Sequence, residues 1–202
     1  MLNIILLAAG QGLRMGGPNK LLLPFRGRTV LETTLSELCA ADIGTVYVVT
    51  GHLQESVAPV LEQFPVREVF NPDFRLGMTG SIQTGVRAAQ EGEGYMICLA
   101  DMPMITSAAY KFLADTFLSL AAQDGYSILL PRFGETKGNP VIFASAYRGE
   151  ILHHPEPEGC KGIVQAHAAH VYWADVPDNS VLRDLDTPED YAAMAGPVAP
   201  KL

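Results

Sequence analysis

Leu2–Pro24, LNIILLAAGQGLRMGGPNKLLLP, is the stretch from which the rest of the chain is read. The run Asn3–Leu7 (NIILL) has the apolar continuity of a strand buried on both faces, and it breaks off into Ala8-Ala9-Gly10-Gln11-Gly12. Small residues at a strand's carboxyl end let peptide N–H groups approach an anion with no side chain in the way, and that end is where ligands bind in open α/β sheets. Arg14 and Lys20 follow on the same loop. Bare amides with a guanidinium and an ammonium close behind suit a polyphosphate better than a neutral ligand, so the stretch reads as a nucleoside triphosphate loop.

Two other phosphate loops are excluded by residue type. A Walker loop requires Gly-Lys followed by Ser or Thr, whereas Lys20 lies between Asn19 and Leu21. A dinucleotide fingerprint requires glycine where Met15 stands and an acid at the end of the second strand, where the chain has Thr50-Gly51. The bland alternative is a surface loop over Gly10–Gly17 with solvated Arg and Lys.

The chain has 202 residues, 48% hydrophobic and 18% charged, enough for one well-buried core and a single domain over 1–195, with a frayed tail from 196 to 202. Its net charge of −8 argues against nucleic acid as a partner, because backbone phosphates are repelled away from any local basic patch. Cys39, Cys98 and Cys160 lack CxxC spacing and read as reduced packing residues. The first apolar run is short and has no basic residues ahead of it, so it is expected to be a strand and not a signal or membrane span; a cytoplasmic protein follows.

Strand and helix patterns alternate along the chain: a helix over 29–41 with Thr29 and Glu32 as a capping pair, a strand over 45–50, a helix over 53–64 and a short strand over 66–70. This order predicts an α/β fold with a mostly parallel sheet. The punctuated loop Asn71–Gly80 opens into a helix expected from about Ser81, whose hydroxyl either caps that helix or faces a ligand. The segments 127–131 and 139–143, joined by a turn-rich link, predict an antiparallel extension walling one side of the pocket, with Gly138-Asn139-Pro140 at its tip. His153 and His154 lack ligand spacing.

Tyr95–Leu99 predicts a strand ending in Ala100-Asp101-Met102-Pro103. A carboxylate buried at such a tip costs several kcal/mol unless a cation or donors satisfy it. Asp101 is therefore read as facing the phosphate loop and holding Mg²⁺, with an N-cap for the next helix as the alternative. Near the end, Thr187-Pro188 marks a helix start with Asp190 three residues on; Asp184 and Asp186 just before it are dipole stabilisers or, for Asp186, a second metal ligand.

These motifs together resemble the MobA-like nucleotidyltransferases, most closely the molybdenum cofactor cytidylyltransferases. The matching residues are Leu7–Gly16 with Lys20–Pro24, Gly77-Met78 with Ser81 and Gly85, Leu99–Pro103, Gly138–Pro140 and Asp184–Tyr191. The resemblance implies a three-layer Rossmann-like fold in which Leu7, Ala8, Ala9, Gly10 and Gly12 bind the nucleotide and Arg14 and Lys20 its phosphates. It also implies Mg²⁺ on Asp101, with Asp186 as second ligand, and a base contact from Ser81. Arg14, Lys20 and Asp101 would be the catalytic groups.

Guanylyl-transferring relatives tend to carry glycine at the place of Ala9, so the resemblance favours CTP over GTP, and it implies a molybdopterin-type phosphate acceptor and a recipient molybdoenzyme. Cys160 and Ile163 depart from the pattern, as does Met102, where glutamine is common. A guanylyl enzyme for the same cofactor, a cytidylyl enzyme for a sugar or polyol phosphate, and a non-enzymatic cofactor-delivery module are the rival readings.

Overall fold

Strand β1 (Leu2–Ala8) runs through the middle of the molecule, with Ile4, Ile5 and Leu6 wholly excluded from solvent. The structure is a computed structural model that describes residues 1–10 and 19–195. After a small hairpin, β2 (Pro24–Phe25) and β3 (Arg28–Thr29), come α1 (Val30–Ala40), β4 (Gly44–Thr50), α2 (Gln54–Leu61), β5 (Arg67–Phe70), α3 (Met78–Ala88), β6 (Gly94–Leu99) and α4 (Ser107–Ala121). The second half holds β7 (Ile128–Phe133), β8 (Thr136–Lys137), β9 (Val141–Ala144), α5 (Arg148–His153), α6 (Lys161–Ala166), β10 (Val171–Asp175) and α7 (Pro188–Ala195).

The main sheet has the order β10-β7-β9-β6-β1-β4-β5, with β8 paired to β7. Strands β6, β1, β4 and β5 are parallel neighbours, and β10 is parallel to β7. Strand β9 runs antiparallel to both β6 and β7, which is the antiparallel extension that the turn-rich link predicts. From β1 the chain builds outward through β4 to β5 and then crosses to β6 on the other side, so a topological switch point lies between β1 and β6. Crevices at the carboxyl ends of strands at such points are the usual ligand sites of open α/β sheets.

Helices cover the sheet in three layers. Helix α3 packs on β1, β4 and α5, while α1 packs against α4. Thr29 and Glu32 form the expected capping box, each side chain bonding the other residue's backbone N–H. Thr187 and Asp190 make the same reciprocal pair at the start of α7. Cys39, Cys98 and Cys160 are free thiols, and burial, then Glu150, pushes Cys160 up to about 12, which leaves it a poor nucleophile. Among the described residues no helix is long and apolar enough to cross a membrane.

One local expectation is corrected and one alternative is ruled out. Helix α3 begins at Met78, three residues before Ser81, because Gly77 (φ +110°) makes the turn that ends the preceding single-turn helix Phe74–Leu76. Gly80 sits inside the first turn of α3 and is not loop punctuation; Ser81 is consequently no N-cap. Asp101 is no N-cap either, since α4 starts at Ser107 and is capped by Thr106, whose hydroxyl accepts from the Ala109 N–H.

Candidate active site

The carboxyl ends of β1 and β6 are locked in register, Leu7 opposite Leu99, and the Ala100 N–H donates to the Leu7 carbonyl at 3.1 Å. That puts Ala8-Ala9-Gly10 and Asp101 at one end of adjacent strands. Lys20 reaches the same place from the short helical turn Lys20–Leu22, which Asn19 caps by accepting from the Leu21 N–H at 3.1 Å. Its ammonium donates to Asp101 Oδ2 at 2.5 Å and to Asp186 Oδ1 at 2.9 Å. The loop carrying Asp186 is held there by the Leu185 N–H, which donates to the Asp101 carbonyl at 3.0 Å. Asp186 thus faces Lys20, while the start of α7 is capped by Thr187 with Asp190 as its reciprocal partner.

The electrostatics of this triad are decided by numbers of partners. Burial alone lowers the Lys20 pKa, but Asp101 and Asp186 outweigh it and hold the value above 10.5, so the ammonium stays charged at neutral pH. Asp184 next door has its carboxyl raised by burial and then by the charges of Asp186 and Asp101, a sign of crowded negative charge. Asp101 Oδ2 is satisfied by Lys20, whereas Asp101 Oδ1 is buried and has no hydrogen-bond partner among the described residues. A buried carboxylate oxygen left unpaired is costly, which makes it a candidate ligand atom.

A cavity of about 440 Å³ opens over this triad. Its lining brings together Leu7, Ala8, Ala9, Gly10, Lys20, Ser81, Asp101 and Asp186 from the sequence-derived set. Gly12 and Arg14 lie outside the described residues. Ser81 is buried one turn into α3, and its Oγ accepts from Asn71 Nδ2 at 3.0 Å, while Asn71 is itself tied to β4 by donating to the Thr50 carbonyl.

The same lining contains Met78 from the quoted motif, and also Phe74 and Arg75, which were not singled out from the sequence. Phe74 packs so tightly on the end of β4 that a Cβ at Gly51 would come within 2.6 Å of it, and the Arg75 guanidinium sits 5.4 Å from the Phe74 ring centroid. The loop's Gly/Pro punctuation was the available signal, but which of its side chains turn inward depends on the fold.

A profile of the MobA-like NTP transferase domain matches residues 4–171. Nicotine blue oxidoreductase of Paenarthrobacter nicotinovorans is 27% identical over 92% of both chains. A probable molybdenum cofactor guanylyltransferase of Methanosarcina acetivorans is 28% identical over 98% of this chain and 92% of its own. The molybdenum cofactor cytidylyltransferase of Escherichia coli is 24% identical over 94% and 93%. Among solved structures, a nucleotidyl transferase of Methanothermobacter thermautotroptrophicus superposes with a TM-score of 0.84, at 24% identity over 96% of both chains.

Proposed function

Because this chain belongs to the family of MobA-like NTP transferase domains, we propose that it transfers CMP from CTP to the terminal phosphate of a molybdopterin-type acceptor, releasing pyrophosphate. The observation that carries the proposal is the convergence of Ala8–Gly10, Lys20, Asp101 and Asp186 on one cavity at the switch point of the sheet. An acceptor phosphate oxygen attacks the α-phosphorus in line, the bond to the bridging oxygen breaks, and pyrophosphate leaves with the electron pair. No covalent enzyme intermediate is required.

The chain's own groups act by position and charge. The backbone of Ala8–Gly10 receives the triphosphate, and Lys20 places a fixed positive charge beside it; Arg14 is assigned to the phosphates as well. Ser81, whose Oγ accepts from Asn71 Nδ2, is assigned to the base. The donor set suits a hard divalent cation, Mg²⁺, on two observations: the buried Asp101 oxygen that has no hydrogen-bond partner among the described residues, and the second carboxylate of Asp186 across Lys20. The described residues hold no cluster of three or more His, Cys, Asp or Glu side chains for a metal, so its remaining ligands would be triphosphate oxygens and water. Bound there, the cation would supply Lewis-acid neutralisation of the phosphate charge.

Support for CTP comes from Ala9 and from the cytidylyltransferase relative; the higher identity to a guanylyltransferase keeps GTP as the second reading. The product would pass to a recipient molybdoenzyme. Pyrophosphate release should be measured with CTP, GTP, ATP and UTP, each with Mg²⁺ and molybdopterin. CTP-dependent release is expected, and no release with any nucleotide would overturn the assignment.

A further inference from the structure

Three charged groups from distant segments meet at the cavity, and the positive one stands between the other two. Lys20 Nζ donates to Asp101 Oδ2 at 2.5 Å and to Asp186 Oδ1 at 2.9 Å, so one ammonium occupies an oxygen of each carboxylate. The other oxygen of Asp101 is shut off from solvent, and only 16% of that side chain is exposed. A hydrated cation arriving from the cavity therefore meets the pair on the side that Lys20 covers. Asp184 adds a third carboxylate, which feels the charges of Asp186 and Asp101. With the ammonium withdrawn, these acids would lose the cation that the structure shows between them.

Lys20 is placed to let go as well as to hold. Its backbone is anchored in the turn Lys20–Leu22, where the Leu21 N–H donates to Asn19 Oδ1 and the Leu22 N–H to the Asn19 carbonyl at 2.9 Å. Movement is left to the flexible four-carbon stem. The same side chain lines the cavity with Ala8, Ala9 and Gly10, so a triphosphate received there offers the ammonium a second set of anionic oxygens.

We propose that the Lys20 ammonium is a resident counter-ion that closes the divalent-cation position in the nucleotide-free protein, and that the triphosphate opens it by drawing the ammonium off Asp101 and Asp186. The proposal rests on the transfer reaction above and deepens it by naming how its cation site is controlled. Ion and ammonium compete for the same two carboxylates, and like charges at that distance repel. A free divalent ion must displace a charge already paired, whereas an ion carried by the nucleotide arrives with the phosphate oxygens that take the ammonium up. Nucleotide and metal consequently strengthen each other's binding by one and the same factor.

The full chain, free of nucleotide, is titrated with Mn²⁺, and the unbound ion is read from its electron paramagnetic resonance signal. Wild-type protein is expected to leave the ion free where Lys20→Met takes up one equivalent, a gain of at least about tenfold in affinity. Lys20→Arg keeps the charge and should stay closed, and Lys20→Met combined with Asp101→Asn should lose the gained site. In thermal shift, the wild type should respond to CTP with Mg²⁺ by more than the sum of the two alone, and Lys20→Met should respond to Mg²⁺ by itself.

Wild-type binding of Mn²⁺ as tight as that of Lys20→Met, or a Lys20→Met site that survives Asp101→Asn, overturns the proposal. Should Lys20→Met fail to fold, the wild type decides: additive shifts from CTP and Mg²⁺ overturn it, and a shift that needs both ligands supports it. Pyrophosphate release with molybdopterin is followed separately. A cation site opened by Lys20→Met without any release by the wild type sinks the transfer reaction and leaves the closed site standing; release by a wild type that binds the free ion tightly does the reverse.

Discussion

The Lys20 ammonium lies 2.5 Å from Asp101 Oδ2, although 81 residues separate the two in sequence. Asp186, another 85 residues on, closes the same contact from the other side at 2.9 Å. The ammonium holds two carboxylates together that would otherwise repel.

Removing either end of that pair should stop turnover with little change in the fold. Lys20→Ala and Asp101→Asn are each expected to lower the rate of pyrophosphate release by about 10² to 10³, the usual loss when one preorganised charge is taken from a transition state. Because its partners hold the Lys20 pKa above 10.5, the wild-type rate should show no alkaline loss from this group through mildly alkaline pH. Steady-state rates together with circular dichroism check both points, and near-wild-type rates in either variant would refute the role.

Gly85 lies on the face of α3 that meets the sheet, where an added Cβ would come within 2.4 Å of Ile5 Cγ2 and 2.9 Å of Val49 Cγ2. Glycine to alanine within a helix ordinarily gains about 1 kcal/mol, but overpacking a closed core costs about 1–3 kcal/mol. The clash should win. Gly85→Ala is expected to be destabilised in urea unfolding, with a lowered midpoint and an unchanged slope, and a raised midpoint would contradict the packing described.

Tyr110 is wholly buried in α4, and its hydroxyl finds no partner among the described residues. An unsatisfied buried hydroxyl costs about 1–3 kcal/mol, whereas the ring itself packs well. Tyr110→Phe should therefore raise the melting temperature, by an amount corresponding to about 1 kcal/mol. A clear loss of stability would show that the hydroxyl is bonded.

Asp124 joins the end of α4 to the last strand by accepting from Tyr172 Oη at 3.1 Å and pairing with His170 Nδ1 at 2.8 Å. The bond with His170, followed by that from the Tyr126 N–H, lowers its carboxyl pKa below 3.8. A depressed carboxylate contributes stability that is present above the unfolded value and is lost as pH falls through the folded one. Thermal melts should therefore show wild-type stability dropping on acidification below 3.8, with a flatter profile for Asp124→Asn. Parallel profiles would count against the clamp.

Much of the core was legible because it is local. Apolar continuity in 3–7, 45–50 and 95–99 reports strands buried on both faces, and the Thr29/Glu32 and Thr187/Asp190 pairs are capping chemistry three residues apart. Ser81 was misplaced at a helix start because Gly80 carries the same helix-breaking signal in a loop as in a helix. Only the positive φ of Gly77 and the packing of α3 on β1 and β4 choose between the two.

The sequence by itself determined the strand-and-helix order, the small-residue loop after β1 and the acid after β6, since each is written in adjacent residues. The tertiary structure alone decided that Asp101 and Asp186 share one ammonium, and that Phe74 and Arg75 turn into the cavity. These are contacts between segments tens of residues apart, fixed by strand register and helix packing, and no local pattern encodes them.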